Sequence, residues 1–462
     1  MLRLNNMDWK KFLPVLCFGD ESELFFEESY GLVVSYEDGK VDEIESGQSR
    51  GISLRYLLGE ETRFGHVNGQ ESERILKLSN DISKGLNRFQ IPKWDGIISK
   101  NQHQIVKEPS KITLDEKIGI LEVANKTCRL CKGSEQIRQV SLTYAERIKN
   151  ITCISVLADG VHAFSEERVY TSVAVSVVAE KNGILQTATE VVGALTGFEL
   201  MSQQTPVTIA RIATERALKK LEAPSAPVGE MAVILHSEAG GTMIHEAIGH
   251  SLEADGIQKG ISPAFAGKIG TIVANEKITV YDDPTFPQRR GSFIYDDEGT
   301  KSEKTILVEN GVLKNYLYDK LTARKDNRSS NGHGRRESYA HKPIPRMSNT
   351  MIAPGPDDLQ MILQSVENGL LVKRMGGGQV NPVTSDFVFE IEEGYLIENG
   401  KIKTLVRGAS LLGNGPQVLK SIDLVGSDLG WGVGTCGKDG QGVPVSDAQP
   451  TLRIPKLLIG GS

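Results

Sequence analysis

The chain has 462 residues, 53 of them basic and 59 acidic, for a formal net charge of −6. At about 100–200 residues per domain this length predicts two or three domains, and the acidic balance excludes a general nucleic-acid binder, which needs a basic surface to neutralise phosphates. No apolar run is long enough to span a membrane, the 24% of charged residues is ordinary for a globular protein, and 48 glycines without a short period point to many turns and a β-rich region.

The N-terminal apolar stretch Phe12–Phe18 contains Pro14 and runs into Gly19-Asp20-Glu21 without a small-residue cleavage site, so it is not read as a secretion signal. Five sparse cysteines, Cys17, Cys128, Cys131, Cys153 and Cys436, then read as reduced cytoplasmic thiols. Glu71–Leu86 is amphipathic, with Ile75, Leu78, Ile82 and Leu86 on one stripe, and Thr113-Leu-Asp-Glu116 is a capping box opening a helix to about Cys128. Cys128 and Cys131 form a C-x-x-C at that helix end. With no second pair downstream it reads as structural. Asp38-Gly39 followed by Ile52–Phe64 matches Asp159-Gly160 followed by Val173–Leu185 at one common offset, which fits either an internal repeat of about 1–110 and 111–222 or a chance similarity of two hairpins. Thr205-Pro206 starts a further helix that ends before Leu221-Glu-Ala-Pro-Ser-Ala-Pro-Val-Gly229. We divide the chain there, into an α+β domain of residues 1–222 and a largely antiparallel β-rich domain of 229–462, an α+β protein overall.

The second half carries the turns. Asn310-Gly311 within Thr305–Tyr318 and Asn399-Gly400 within Tyr395–Val406 predict hairpins, because both turn residues tolerate positive φ. In Val366-Glu-Asn-Gly369 the preceding Leu359, Ile362, Leu363 and Val366 have helical spacing, which predicts a helix with Gly369 just past its end. Gly376-Gly-Gly378 lacks the lysine of a phosphate loop and reads as a flexible turn.

Chemistry concentrates in Ser237–Asp255. His245 and His250 are candidate zinc ligands, and Glu246 stands where a general base belongs. The spacing is one residue longer than His-Glu-x-x-His. Five helical steps leave two side chains about 140° apart, against about 40° for four. Chelation therefore requires a π-bulge, or a helix ending at Gly249. A catalytic zinc needs a third protein ligand and an open position. His236, His333, His341, Cys436 and several carboxylates are candidates, Cys436 lying among glycines in Gly434–Gln441. Glu253 and Asp255 fit either partners of the histidines or exposed helix-end acids, and Arg335-Arg336 reads as a surface ion pair rather than a clamp for a substrate carboxylate.

His245-Glu-Ala-Ile-Gly-His250 with Ser-Leu-Glu-Ala-Asp255 resembles the TldD/PmbA family of metalloproteases, also called modulators of DNA gyrase. So do Arg335-Arg-Glu-Ser-Tyr-Ala340, Arg346-Met-Ser-Asn-Thr350, Gly376-Gly-Gly-Gln-Val380, Gly394–Gly400, Gly413-Asn-Gly415 and Thr435-Cys-Gly-Lys438, in the family's order. The resemblance implies a zinc peptidase of the active TldD type that acts on unstructured peptides or small proteins. It implies one zinc held by His245, His250 and Cys436, with Glu246 as base. It also implies a homodimer, or a heterodimer with an inactive paralogue, with the zinc sites facing an internal cavity. Two other functions are compatible with these residues: a regulatory protein that binds a partner such as a topoisomerase and carries structural zinc, and an amidase for small substrates. No substrate-binding residue is identified at this level.

Overall fold

The computed structural model describes residues 8–157, 160–202, 205–381 and 383–461. Its first half is one largely antiparallel sheet. In chain order its elements are β1 (Glu21–Glu37), β2 (Lys40–Leu58), β3 (Glu61–Asn68), α1 (Ser72–Ile82), β4 (Ser99–Gln102), α2 (Leu114–Leu130), β5 (Ile137–Leu157), β6 (Gly160–Lys181), β7 (Ile184–Ala194) and α3 (Thr205–Glu222). The sheet order is β3-β2-β1-β5-β6, with β4 and β7 both pairing with β6. Each of the two segments compared in the sequence forms three consecutive strands followed by a helix, and β1 and β5 lie side by side, antiparallel, at the centre. The turn residue Asp159 lies outside the described residues.

Strand alternation sorts the side chains of this sheet. Apolar residues at even-numbered positions of β1 share one face: Leu24 and Phe26 pack under α1 and the 3₁₀ turn Trp9–Val15, while Leu32, Val34 and Tyr36 pack under α2 and α3. The apolar stretch near the N-terminus is thus a lid on the sheet. Helix α2 starts on the reciprocal capping box of Thr113 and Glu116. The odd positions Glu21, Glu23 and Glu27 face the second half of the chain and are buried there. The amphipathic segment ends as a helix at Ile82, four residues before Leu86, where Ser83 caps it.

The second half contains two mixed sheets. After β8 (Gly229–Leu235), the short helices α4 (Thr242–Ile244) and α5 (Ala254–Gln258) flank the histidine segment. Strands β9 (Val280–Asp282), β10 (Thr305–Glu309) and β11 (Val312–Leu313) follow. Then come α6 (Lys320–Lys325), a ribbon of β12 (Gly334–Arg335) with β13 (Ile344–Pro345), β14 (Asn349–Ile352) and α7 (Leu359–Gln364). Strands β15 (Asn368–Val380), β16 (Asp386–Glu398), β17 (Lys401–Val406) and β18 (Ala409–Asn414) lead to α8 (Gly415–Ser421) and β19 (Leu424–Val425). The chain ends in β20 (Gly430–Lys438), β21 (Gln441–Gln449) and β22 (Leu452–Gly461). One sheet runs β11-β10-β9-β14-β21-β20 and the other β15-β8-β22-β18-β16-β17. Most pairings are antiparallel; β14 with β21 and β15 with β8 are parallel.

Both Asn-Gly hairpins form, with Asn310 and Asn399 at φ 46° and 51°. Gly369 corrects its sequence reading. Helix α7 stops at Gln364, and Gly369 lies inside β15, where a Cβ would come within 2.4 Å of the Ala232 carbonyl oxygen on β8. The glycine answers a strand contact, not a helix end. Gly376–Gly378 are likewise strand residues of β15 rather than a free turn.

Candidate metal centre

Strand β8 delivers the chain to Gly240, at φ 70°, and Gly241, whose absent side chain lets the backbone close on β21: a Cβ there would sit 2.4 Å from the Ala448 nitrogen. One turn of α4 follows, and then His245–Gly249 is a π-helical turn, with the His250 N–H donating to the His245 carbonyl. A bond spanning five residues absorbs the extra residue of the motif. The two imidazoles therefore share one face, with ring centroids 5.3 Å apart and planes at 86°. Gly249 is required at this turn because Met347 packs directly on it; a Cβ would lie 2.0 Å from the Met347 sulfur.

Cys436 reaches the same point from β20. Its Sγ lies 3.3 Å from His250 Nε2, and the ligand atoms of His245, His250 and Cys436 all lie within 4.8 Å of one another. Both ring nitrogens of His245 are buried without a hydrogen-bond partner among the described residues. A buried imidazole with neither nitrogen satisfied is costly unless it ligates something. Two imidazoles and a thiol are a soft, zinc-compatible donor set, and three protein ligands leave a fourth position open. The residues present fit a zinc ion.

Charge supports that fit. Burial disfavours the Cys436 thiolate, but the closeness of His245 and His250 outweighs it and brings the thiol down to about 5. Burial also opposes protonation of His250, and the charge of Glu253 with the Cys436 contact raises it well above the usual imidazole range. Glu253 is buried and accepts from His250 Nδ1 at 3.0 Å, which leaves Nε2 facing Cys436. Its own carboxyl is brought down to about 2, because the charges of Lys438 and His250 outweigh burial. Lys438 Nζ is 3.0 Å from Glu253 and 2.6 Å from Asp255. Glu253 is thus the histidine's partner, whereas Asp255 anchors the lysine.

Glu246 is 41% exposed beside the cluster, with Oε2 3.9 Å from His250 Nε2. The remaining candidates lie elsewhere. His236 accepts from the Glu238 N–H, His333 is buried against Asp282 at 3.1 Å, and His341 contacts Ser338. Arg335 and Arg336 are not on the surface. Both are buried: Arg336 pairs with Glu23 across the two halves, and Arg335 donates to the carbonyls of Met347 and Pro444. Cys128 and Cys131 carry free thiols raised by burial, away from the centre. Arg346 opens one of the motifs that carry the family resemblance, with no role evident from its sequence. It is buried and donates to the carbonyl oxygens of Cys436, at 2.5 Å, and Gln441. Nothing in residue type alone marks an arginine that grips a ligand's backbone.

The chain matches three family models in succession: PmbA/TldA metallopeptidase domain 1 over residues 22–83, the central domain over 107–221 and the C-terminal domain over 228–461. It is 34% identical to a metalloprotease TldD homolog of Haemophilus influenzae, covering 96% of this chain and 93% of that one. It is also 34% identical to a metalloprotease of Methanocaldococcus jannaschii over 97% and 98% of the two chains. A relative from Saccharolobus solfataricus, 26% identical over 90% and 91%, is named a zinc metalloprotease. The fold is shared with a Thermotoga maritima protein described as a modulator of a DNA gyrase (TM-score 0.78, 20% identity, 95% and 96% coverage) and with TldE of Thermococcus kodakarensis (TM-score 0.72, 18% identity, 96% and 97%). Similarity over the whole length, together with the match of residues 228–461 to the C-terminal family model, places this chain in the PmbA/TldD family of metalloproteases.

Proposed function

We propose that the protein is a zinc-dependent peptidase that hydrolyses unstructured peptides or small proteins, with one zinc per chain at His245, His250 and Cys436. The observation that carries this reading is the π-turn, which places both histidines against Cys436 while Glu246 stays partly exposed beside them. When bound, zinc supplies a Lewis acid and an acidified water. Glu253 holds the His250 imidazole in one tautomer, and Lys438 keeps Glu253 ionised. Glu246 accepts the proton of the attacking water and delivers it to the leaving amine.

An extended substrate suits the surroundings. Strand β8 covers the edge of β15 only along Gly369–Val372. Beyond it, Gly377, Gly378 and Gln379 are exposed, and a Cβ at Gly377 would meet nothing within 4 Å. A peptide strand added there would be bound through its main chain, with little demand on its sequence. A homodimer, or a heterodimer with an inactive paralogue, would screen such a site from folded proteins. The free thiols suit the reducing cytoplasm. The test is incubation of the purified protein with an unfolded polypeptide, with and without a zinc chelator. Mass spectrometry should show fragments that disappear on chelation; an intact polypeptide in both samples would remove the reading.

A further inference from the structure

The chain carries more acid than base, yet two arginines beside the metal-binding strand have no acidic partner. Arg290 donates from Nε to the carbonyl of Gly434 at 3.2 Å, and its guanidinium lies over the Tyr170 ring at 5.9 Å. Its Nη1 and Nη2 carry no hydrogen bond among the described residues, and neither is sealed from solvent. Arg289, its neighbour, stacks on Trp431 at 3.9 Å. Among the described residues neither guanidinium forms an ion pair with a carboxylate. Arg147, 41% exposed on β5, adds a third positive charge and has only a loose contact with Glu27 at 3.8 Å. Burial pushes both Arg289 and Arg290 down, and Arg147 pushes Arg290 down further. A half-buried guanidinium with two free donors, held in place by a backbone carbonyl and an aromatic face, is preorganised for a planar anion.

We propose that Arg290, assisted by Arg147, is a subsite for a peptide carboxylate, either the C-terminal carboxylate of the substrate or an acidic side chain. The position relates it to the reaction centre. Gly434 precedes the ligand Cys436 by two residues on β20, about 6.6 Å at about 3.3 Å per residue of strand. An extended peptide with its scissile bond at the metal would therefore place a carboxylate near Arg290 about two residues away. The proposal rests on the peptidase reading for its substrate class, but not for its chemistry.

The test is calorimetric binding of three unstructured peptides to the full-length zinc-loaded Glu246→Gln protein. One peptide has a free C-terminus, one is the amide of the same sequence, and one is the amide with a glutamate replacing a glutamine. A charge-assisted bidentate contact is worth about tenfold in affinity. We expect the free acid or the glutamate peptide to bind about tenfold more tightly than the neutral amide, and whichever does so identifies the source of the carboxylate. Arg290→Gln should erase the preference, Arg290→Lys should retain part of it, and Arg147→Gln, at an exposed position, should weaken it severalfold. Equal binding of all three peptides, or a preference that survives both Arg290→Gln and Arg147→Gln, would overturn the proposal. Should Arg290→Gln not fold, Arg290→Lys and Arg147→Gln decide it, and an unchanged preference in both overturns it. Wild-type protein that shows the acid preference but cleaves none of the peptides would sink the peptidase reading and leave this subsite standing.

Discussion

The two halves of the chain achieve order by different means. In residues 21–222 strands alternate, with apolar positions turned to helices on one face. Side-chain polarity and packing carry this order. In residues 229–461 the decisive contacts are backbone approaches: Gly241 on Ala448, Gly249 on Met347, Gly369 on Ala232. Between the halves lies a layer of buried charge, in which Arg55 meets Glu23 and Glu298, Arg336 meets Glu23, and Arg168 meets Asp297. Alternation of side chains orders the first half, whereas close glycine contacts shape the second around the candidate ligands.

That contrast can be broken experimentally. The largest effect belongs to the ligands. His245→Ala should lose both zinc and all cleavage above background, measured by elemental analysis and peptide hydrolysis. Leu54→Ala, in the core of the first half, should cost about 2–5 kcal/mol of stability by denaturant unfolding and keep its zinc. Zinc loss in the Leu54 variant would show that the halves are not separable in this way. Next, Glu253→Gln should weaken zinc binding by about 10–100-fold in a chelator competition, since the carboxylate orients His250.

Backbone approach predicts a smaller but sharper difference between two glycines. Gly249→Ala forces a Cβ onto Met347 and should cost about 1–3 kcal/mol, with lowered zinc occupancy. Gly377→Ala, on the open edge of β15, should change stability by less than about 0.5 kcal/mol. The smallest effect concerns the seam. Burial, together with Asp319, Asp296 and Glu23, outweighs Arg55 and pushes the Glu298 carboxyl up to about 8. The folded state thus keeps a proton that the unfolded chain gives up near pH 4.3. Stability from this group is full below that value and is lost as pH rises towards about 8. Glu298→Gln should flatten the fall in melting temperature across that window; an unchanged slope would assign it to other groups.

The sequence carried the elements whose signal is local. The Thr113–Glu116 capping box, the Thr205-Pro206 helix start and the two Asn-Gly hairpins each depend on a few adjacent residues, and each is present. The need for a π-bulge or a helix end at Gly249 was also legible, because helical pitch forbids chelation at five-residue spacing; the structure uses the π-turn. What could not be read was long-range. Gly369 looked like a helix end because its partner, Ala232, is remote in sequence. Arg335 and Arg336 looked like surface residues because their partners, Met347, Pro444 and Glu23, come together only in the fold. Arg346 and Lys438 lie in family-like motifs, but that they steady Cys436 and Glu253 shows only in the fold.

If His245, His250 and Cys436 hold a catalytic zinc, Glu246 moves the proton without holding the metal. Glu246→Gln tests it most directly, with zinc content and cleavage of an unfolded peptide measured on the same sample. The isosteric amide cannot take a proton, so zinc should remain at about one per chain while turnover falls by about 10²–10⁴-fold. Full zinc with wild-type cleavage would contradict the account.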